Sequence, residues 1–464
     1  MSEEKLVPKL RFSGFTDEWN EVTLNDVATF SKGKGISKND ISDYGIECVR
    51  YGELYTKYNE MIYNVESKTN LDKKELKLSE KDDILIPCSG ETAIDLATAS
   101  CIQKDQVAIG GDITVIKTDQ YAPFITYYLN QKKTEIAKYA QGVSIVHLYP
   151  KDFKVMNIKI PSITEQKKII SLLEEISKKE RLLESKYQEY QDFKKFLMQQ
   201  IFAQKLRFTS SNDDWKTVKI KDIFDERNEK GFMDLELLSV TLKDGVIKRS
   251  EIEAKDNSNE NKTNYKHVMP EDIVYNSMRM WQGASGVSSY EGIVSPAYTI
   301  LIPKNVYSKF FGYYFKTAEL IHQFKKYSQG LTSDTWNLKY PLISEIKIKI
   351  PSIEEQKEIT KIFETIDMKL EIIQNNLEEM AIFKKGLLQQ MFVYTHIFLN
   401  FCAKICCIKY FLKSIYDSCF FSSNSIFASI NVRKSEIDSC VVFEGIFKFK
   451  FLISLEFIDS NVLP

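Results

Sequence analysis

One segment of the chain occurs twice, and this duplication limits the possible folds more than any other feature of the sequence. Residues 158–167, Ile-Lys-Ile-Pro-Ser-Ile-Thr-Glu-Gln-Lys, return at 348–357 as Ile-Lys-Ile-Pro-Ser-Ile-Glu-Glu-Gln-Lys. The offset of 190 residues continues without a gap to Phe193-Lys194-Lys195 and its copy at 383–385. A repeat of this length predicts two globular modules, each large enough to bury its own core.

A second repeat marks where each module begins. Lys9-Leu10-Arg11-Phe12 recurs at 205–208, and a tryptophan, Trp19 or Trp215, follows seven residues after each phenylalanine. The predicted order is therefore variable domain (1–160), helix (161–204), variable domain (205–350) and helix (351–393). Residues 394–464 have no counterpart after the first helix, and we expect this atypical C-terminal extension to be dispensable; the alternative is a small β-rich appendage.

The variable domains contain short β-like runs separated by Gly, Asn, Asp and Ser. Predicted strands lie at 22–24, 46–51, 84–86, 113–116, 273–275 and 298–302, and predicted helices near 124–139 and 310–327. The fold class predicted from this pattern is α+β, with a mixed sheet in each variable domain.

The repeated segments are predicted to be long helices. Ser162 with Glu165, and Ser352 with Glu355, fit the capping box of a helix start. Apolar residues then recur in heptads, which is typical of a coiled coil: Ile169, Ile176, Leu183, Tyr190 and Leu197, matched by Ile359, Ile366, Ile373, Met380 and Leu387. Pairing of the two copies as antiparallel helices would place a variable domain at each end. Glu180, Lys194 and Lys384 interrupt the seam, and we expect their long stems to extend along its edge.

Together these motifs resemble the specificity subunit of type I restriction–modification enzymes. The resemblance is carried by Ile-Pro-Ser-x-x-Glu-Gln-Lys-x-Ile at 160–169 and 350–359, by the runs ending at Phe202 and Phe392, and by the two Lys-Leu-Arg-Phe starts. It covers about residues 5–393. It implies that the variable domains are two target recognition domains, each reading half of a split DNA sequence, and that the helices are conserved spacers.

The resemblance also implies partners. The spacers would bind two modification (methyltransferase) subunits, through motif residues such as Gln166, Lys167, Gln356 and Lys357, and restriction (translocase/endonuclease) subunits would join the complex on double-stranded DNA. The chain itself would be a non-catalytic subunit without a cofactor, and S-adenosylmethionine, ATP and Mg would be bound only by the partner subunits.

Two segments of the first domain are candidate DNA-binding sites. The glycine-rich loop at 30–38 carries Lys32, Lys34 and Lys38, which could contact phosphates or bases, although a solvated hairpin turn would have the same composition. Ser89 and Thr92 follow an apolar run, and small polar groups at the exit of a strand can approach DNA closely; an ordinary turn is the alternative.

The second domain contains the richest candidate, residues 275–286. Asn276, Arg279 and Gln282 have side chains that can read adenine and guanine edges. Trp281 could stack beside them, or it could anchor the loop in the core. Thr332 and Ser333, like residues 142–147 of the first domain, lie in polar loops just before a repeated helix and form a second candidate surface.

Composition and missing motifs narrow the function. A net charge of −1 argues against a purely electrostatic DNA clamp. The chain has neither an Asn/Asp-Pro-Pro-Tyr/Phe methyltransferase motif nor a phosphate-binding loop. Its four histidines are scattered, so we expect no metal site. Its cysteines suggest a reduced protein without disulfides. No run is long and apolar enough for a membrane span, so we expect a cytoplasmic protein. Two alternatives stay open: a self-contained DNA-modifying enzyme and a coiled-coil protein adaptor.

Overall fold

The computed structural model describes residues 6–142, 146–207, 214–252, 258, 261–332, 335–393 and 430–431. The chain forms two compact units. The first unit comprises Met1–Leu182 and Asn376–Pro464, and the second comprises Leu183–Asn375. Each unit therefore contains one variable domain, the beginning of the helix that follows it, and the end of the other long helix.

The first domain, the globular part of the first unit, is built on a mixed sheet. Its five strands lie in the order Ala28–Lys32, Ile113–Thr118, Ile84–Pro87, Ser100–Ile102 and Met61–Ile62. The last two pair in parallel, and the other neighbours are antiparallel. Ile84–Pro87 is buried along its whole length, which explains its uninterrupted apolar sequence. A four-stranded sheet completes the domain, in the order Ala108–Ile109, Ile46–Val49, Lys68–Thr69 and Ile41–Ser42.

The second domain, the globular part of the second unit, has a four-stranded antiparallel sheet at its centre. Its order is Phe224–Glu226, Tyr298–Pro303, Ile273–Asn276 and Ser285–Val287. Two smaller pairs join Leu238–Thr241 with Gly245–Lys248, and Lys266–Val268 with Gly292–Val294. A Cβ on Gly286 would be 2.7 Å from the Gly245 Cα, so position 286 requires glycine, and Gly245 has φ +68°, a left-handed conformation that favours glycine.

In both units a strand pair joins the domain to its long helix. Asn20–Thr23 pairs with Asn157–Ile160, and Lys216–Lys219 pairs with Lys347–Ile350, in the same antiparallel arrangement. Four further two-residue strands are described: Arg11–Phe12, Ser89–Gly90, Val146–His147 and Ile430–Asn431. Ile430–Asn431 pairs with Arg11–Phe12. The rest of the extension predicted to be dispensable, residues 394–429 and 432–464, lies outside the described residues.

Short helices cover the sheets. In the first domain they are Leu24–Val27, Tyr51–Thr56, Ala93–Leu96, Ala122–Gln131, Lys133–Ile136 and Pro150–Lys154, with 3₁₀ turns at Lys38–Asp40, Lys73–Glu75 and Ala137–Tyr139. In the second they are Ile220–Ile223, Ser308–Tyr314, Ala318–Tyr327 and Tyr340–Ile343, with 3₁₀ turns at Arg249–Glu251 and Met280–Gln282. The helix predicted near 310–327 is thus two helices, because the chain turns at 315–317.

The two long helices span Ile163–Phe202 and Ile353–Met391, 40 and 39 residues, or about 60 Å each at the usual rise of an α-helix. Only half of each predicted capping box forms. The Ser162 and Ser352 hydroxyls accept the N–H groups of Glu165 and Glu355. The Glu165 carboxylate instead accepts two hydrogen bonds from Arg11, at 2.7 and 2.8 Å. The Glu355 carboxylate likewise accepts two from Arg207, at 3.4 and 3.0 Å.

The helices pair through the predicted seam. In the second unit, the Phe202 ring stacks on Phe363 at 5.9 Å, and the Lys369 ammonium lies 5.6 Å from the Tyr190 ring centroid. Along the first helix from Tyr190 to Phe202, the contacts on the second helix run backward from Lys369 to Phe363. The two helices are therefore antiparallel there. The charged interruptions form ion pairs between the helices, Lys194 with Asp367 in the second unit and Glu180 with Lys384 in the first. These observations confirm the α+β class and the antiparallel coiled coil.

An aromatic cluster closes the core of each unit and explains the repeated tryptophans. Trp19 and Phe124 contact Phe392, whose ring lies 5.2 Å from that of Phe124. In the second unit, Trp215 and Phe310 contact Phe202 at 6.5 and 5.5 Å. The last aromatic residue of each repeated motif thus belongs to the core of the domain that the other long helix follows.

Candidate nucleic-acid interface

The candidate loop of the second domain begins where a buried strand leaves the sheet. Ile273–Asn276 is buried up to Tyr275, and the buried Met280 holds the 3₁₀ turn Met280–Gln282 against the domain. Arg279 and Gln282 are exposed, while Asn276 is half-buried. The Asn276 Oδ1 accepts the Met278 N–H at 3.0 Å, which fixes the turn.

Trp281 anchors this loop. It is half-buried, and its indole N–H donates to the Met278 carbonyl at 3.1 Å. Its ring meets Trp336 edge to face, with 5.2 Å between centroids, and the Lys325 ammonium lies 5.4 Å from the Trp336 ring. The structure therefore supports the anchoring interpretation of Trp281, and DNA contact by its ring stays a prediction.

The second candidate surface lies beside this loop. The Leu338 N–H donates to the Ser277 carbonyl at 2.8 Å, so residues 276–282 form one surface with residues 329–332 and 335–338. Thr332 is exposed on it, and Ser333 lies outside the described residues. Gly330 has φ +151°, and a Cβ there would be 2.5 Å from the Thr335 carbonyl oxygen, so the turn requires glycine.

In the first domain, the two segments that match these loops also lie side by side. Ser89 is buried, and its hydroxyl lies 3.1 Å from the His147 Nδ1. Ser89–Gly90 pairs with Val146–His147. Thr92 is exposed, but its hydroxyl accepts the Asp95 N–H and caps the short helix Ala93–Leu96. Both predicted residues thus have structural roles, and DNA contact through either one stays a prediction.

The same hydrogen bonds hold both loops. The Leu148 N–H donates to the Cys88 carbonyl at 3.0 Å, as the Leu338 N–H does to Ser277. The Cys88 Sγ lies 3.0 Å from the Thr114 hydroxyl, and the Ser277 hydroxyl lies 2.9 Å from that of Thr299. Burial raises the pKa of the Cys88 thiol, so Cys88 stays protonated and belongs to the scaffold. One framework therefore presents different side chains in the two domains.

The predicted lysines occupy separate places in the glycine-rich segment. All three are exposed. Lys32 ends the strand Ala28–Lys32 and lies beside Tyr149, the Lys34 N–H donates to the Ile109 carbonyl at 2.9 Å, and Lys38 begins a 3₁₀ turn. A Cβ on Gly33 would be 2.0 Å from the Gly110 carbonyl oxygen, which is why the segment needs glycine here.

The predicted partner-binding residues divide into two kinds. Lys167 and Lys357 are exposed near the starts of the long helices. Gln166 and Gln356 are buried, and their side-chain carbonyls accept the N–H groups of Tyr121 and Tyr307 at 3.1 and 2.9 Å. A direct partner contact by either glutamine would require these hydrogen bonds to break.

Sequence reasoning missed several residues beside the candidate loops. In the first domain they are Tyr149, Lys151 and Lys154, which follow the segment 142–147. In the second they are Glu226, Lys266 and Lys339, which line a cavity of about 260 Å³ together with Ser277, Met278 and Asn337 of the predicted loops. The Asn337 Oδ1 has no hydrogen-bond partner within the described part of the chain. The lysines outside the predicted segments were visible in the sequence, but their position beside the loops depends on the fold.

The described ranges contain neither a cluster of metal-binding side chains nor a membrane-spanning helix. They contain no group of three or more His, Cys, Asp or Glu side chains placed to hold a metal ion. No helix among them is sufficiently long and apolar to cross a membrane. Cys48, Cys88 and Cys101 are buried free thiols, as the prediction of reduced core cysteines requires.

Comparison with known proteins agrees with this duplicated arrangement. The type I restriction modification DNA specificity domain matches twice, at residues 16–190 and 212–381. The specificity subunit of the type I restriction enzyme MjaVIII from Methanocaldococcus jannaschii is 24% identical over 409 residues, covering 80% of this chain and 91% of that protein. The crystal structure of a type I restriction–modification S subunit from M. genitalium superimposes with a TM-score of 0.56 at 16% identity, covering 84% of this chain and all of that one. Because the two family matches cover most of the sequence, the chain belongs to the type I restriction–modification DNA specificity family.

Proposed function

We propose that each domain reads one half of a bipartite DNA target through the loops at 276–282 and 329–338 and their counterparts in the first domain. The observation that carries this proposal is the shared framework. Identical backbone hydrogen bonds fix the loops in both domains, whereas the side chains presented there differ. Such a framework lets the two domains recognise unlike sequences with the same geometry.

The chain supplies specificity, and its partners supply chemistry. We assign S-adenosylmethionine, ATP and Mg to methyltransferase and restriction subunits, and we place the complex in the cytoplasm with the host DNA. The chain carries neither of the two catalytic motifs that those reactions would require. Methylation assays with S-adenosylmethionine, run on the chain alone and with its methyltransferase partner, test this assignment. Methyl transfer by the chain alone would support the alternative of a self-contained enzyme.

The long helices offer a surface for the two methyltransferase subunits. In the second unit, Phe193 and Phe196 are 45% and 54% exposed, and Met368 and Ile372 are 55% and 39% exposed. Each pair is spaced so that both side chains lie on one face of its helix. Large apolar side chains grouped in this way are typical of protein interfaces. Leu182 and Ile382 extend the same pattern in the first unit, and Lys167 and Lys357 would contribute charged contacts.

The reading role is tested by a methylation map of the host genome. The wild-type chain should direct methylation to a split motif with a fixed gap. In an Arg279→Ala/Gln282→Ala strain, one half of that motif should relax or change while the other half stays intact, because these side chains belong to the second domain alone. Loss of one bidentate contact corresponds to about 1–3 kcal/mol of discrimination.

A matched control distinguishes reading from general damage. Lys347→Ala/Lys349→Ala removes two exposed side chains from the strand that leads to the second long helix, and its methylation map should equal the wild-type map. If the Arg279/Gln282 map also equals the wild-type map, the proposed reading loop is wrong. Sequence-independent DNA binding by the whole complex would favour the adaptor alternative.

A further inference from the structure

Three lysines of the first domain converge on two aromatic rings. The Lys32 and Lys151 ammonium groups lie 5.9 and 5.7 Å from the centroid of the Tyr149 ring. The Lys154 ammonium lies 5.7 Å from the Phe30 ring. Lys32 comes from the strand Ala28–Lys32, whereas Lys151 and Lys154 come from the short helix Pro150–Lys154. We call Lys32, Lys151 and Lys154 the lysine cluster.

The charges of the lysine cluster are available to a ligand. All three side chains are exposed, and within the described part of the chain none of them forms an ion pair. The neighbouring carboxylate of Asp152 accepts the Tyr149 N–H at 3.0 Å. A cation over a ring face keeps N–H groups directed outward, and the ring restricts the long side chain, which lowers the entropy cost of binding.

At the matching positions, all of them described, the second domain has no lysine in place of Lys32, Lys151 or Lys154, and Lys339 takes the position of Tyr149. The repeats place Asn228 at the position of Lys32, and Pro341 and Ser344 at those of Lys151 and Lys154. Glu226 takes the place of Phe30: it pairs with Leu301 in the central sheet as Phe30 pairs with Ile116. The cluster is therefore not part of the framework that the domains share.

The cluster adjoins the candidate reading loop of the first domain. The His147 and Tyr149 rings stack with 6.1 Å between centroids, and His147 contacts Ser89. Exposed lysines beside base-reading groups are suited to bind phosphate oxygens, because ammonium groups are point charges that tolerate any base sequence.

We infer that Lys32, Lys151 and Lys154 form a DNA phosphate-binding site that is specific to the first domain. This inference rests on the proposed function, since it assumes that the first domain lies on DNA. The site holds the backbone beside the reading loop and does not select the sequence. Binding to DNA is therefore asymmetric, because these three lysines are present in the first half only.

The salt dependence of DNA binding tests the inference. The assembled complex, purified from its host with either the wild-type chain or the Lys151→Gln/Lys154→Gln chain, is titrated with a 40-base-pair duplex carrying the methylation-mapped target, and with a scrambled duplex, at several salt concentrations. The slope of log K against log salt is negative, and each lost phosphate contact reduces its magnitude by about 0.9. We expect the magnitude of the slope to fall by about 2 and the affinity to fall by the same factor for both duplexes.

The control removes two charges elsewhere in the same domain. Lys73 and Lys74 are exposed on a 3₁₀ turn, and Lys73→Gln/Lys74→Gln should leave the slope unchanged. An unchanged slope in the Lys151/Lys154 variant, or an equal fall in the control, would overturn the inference. A loss confined to the target duplex would also overturn it, because phosphate contacts do not distinguish sequences. If the wild-type complex binds both duplexes equally but the slope still depends on Lys151 and Lys154, the proposed function fails and the phosphate site stands.

Discussion

At the scale of single residues, the repeated arginines show how a short motif can hold a domain on its helix. The Arg11 guanidinium makes a bidentate pair with Glu165, and the two side chains are 12% and 2% exposed. A carboxylate so deeply buried depends on its partner, since an unpaired charge inside a protein is costly. Arg207 and Glu355 repeat the pair in the second unit.

Replacing Arg11 by alanine should therefore destabilise the first unit strongly. Breaking a buried pair from one side costs about 3–5 kcal/mol, and urea unfolding followed by circular dichroism should show an earlier transition. Lys9→Ala, two residues away and exposed, is the control and should leave the midpoint almost unchanged. Equal stability of the two variants would mean that solvent reaches Glu165 and replaces the arginine.

The same pair shows what the sequence could and could not predict at this scale. Ser162 and Glu165 have capping-box spacing, and the serine half of the prediction holds. The glutamate partner lies 154 residues earlier in the chain, and local spacing contains no information about such a contact. Lys151 and Lys154 were missed for the same reason, because Tyr149 and Lys32 meet only after the sheet has formed.

At the scale of elements, the end of the second long helix completes a domain that begins far away in the chain. Phe392 is 2% exposed and lies among Trp19, Phe124 and Tyr128. The heptad pattern predicts the length and seam of both helices, because apolar spacing is a local signal. It does not predict which aromatic core receives the last residue of each helix.

Two truncations separate the role of Phe392 from that of the extension beyond it. A chain ending at Val393 keeps the aromatic cluster, and we expect it to retain assembly, DNA specificity and a near-normal melting temperature. A chain ending at Met391 lacks Phe392 and Val393, and loss of a buried aromatic side chain costs about 3–5 kcal/mol. Differential scanning calorimetry distinguishes the two chains. A large loss of stability in the chain ending at Val393 would show that the extension is not dispensable.

At the scale of the whole molecule, duplication gives the ends of the two long helices the same pattern of buried side chains. Leu197 and Ile201 correspond to Leu387 and Met391 at the same offset, and Phe202 corresponds to Phe392. All of these side chains are buried. The first unit is discontinuous in sequence. The core of the first domain is therefore complete only when the end of a long helix, with its terminal phenylalanine, packs against it.

A fragment of residues 1–204 should therefore form a dimer. Each copy lacks the second long helix, but the first long helix of a second copy carries the same seam and the same terminal phenylalanine. Two copies that complete each other in this way form a closed, two-fold symmetric pair. Light scattering coupled to gel filtration should give twice the fragment mass, and Phe202→Ala should weaken the dimer by removing the residue that replaces Phe392. Because both domains of the dimer are the same, it should select a DNA target with two identical, inverted halves. A stable, folded monomer would show that the first domain does not need a helix end from outside its own segment.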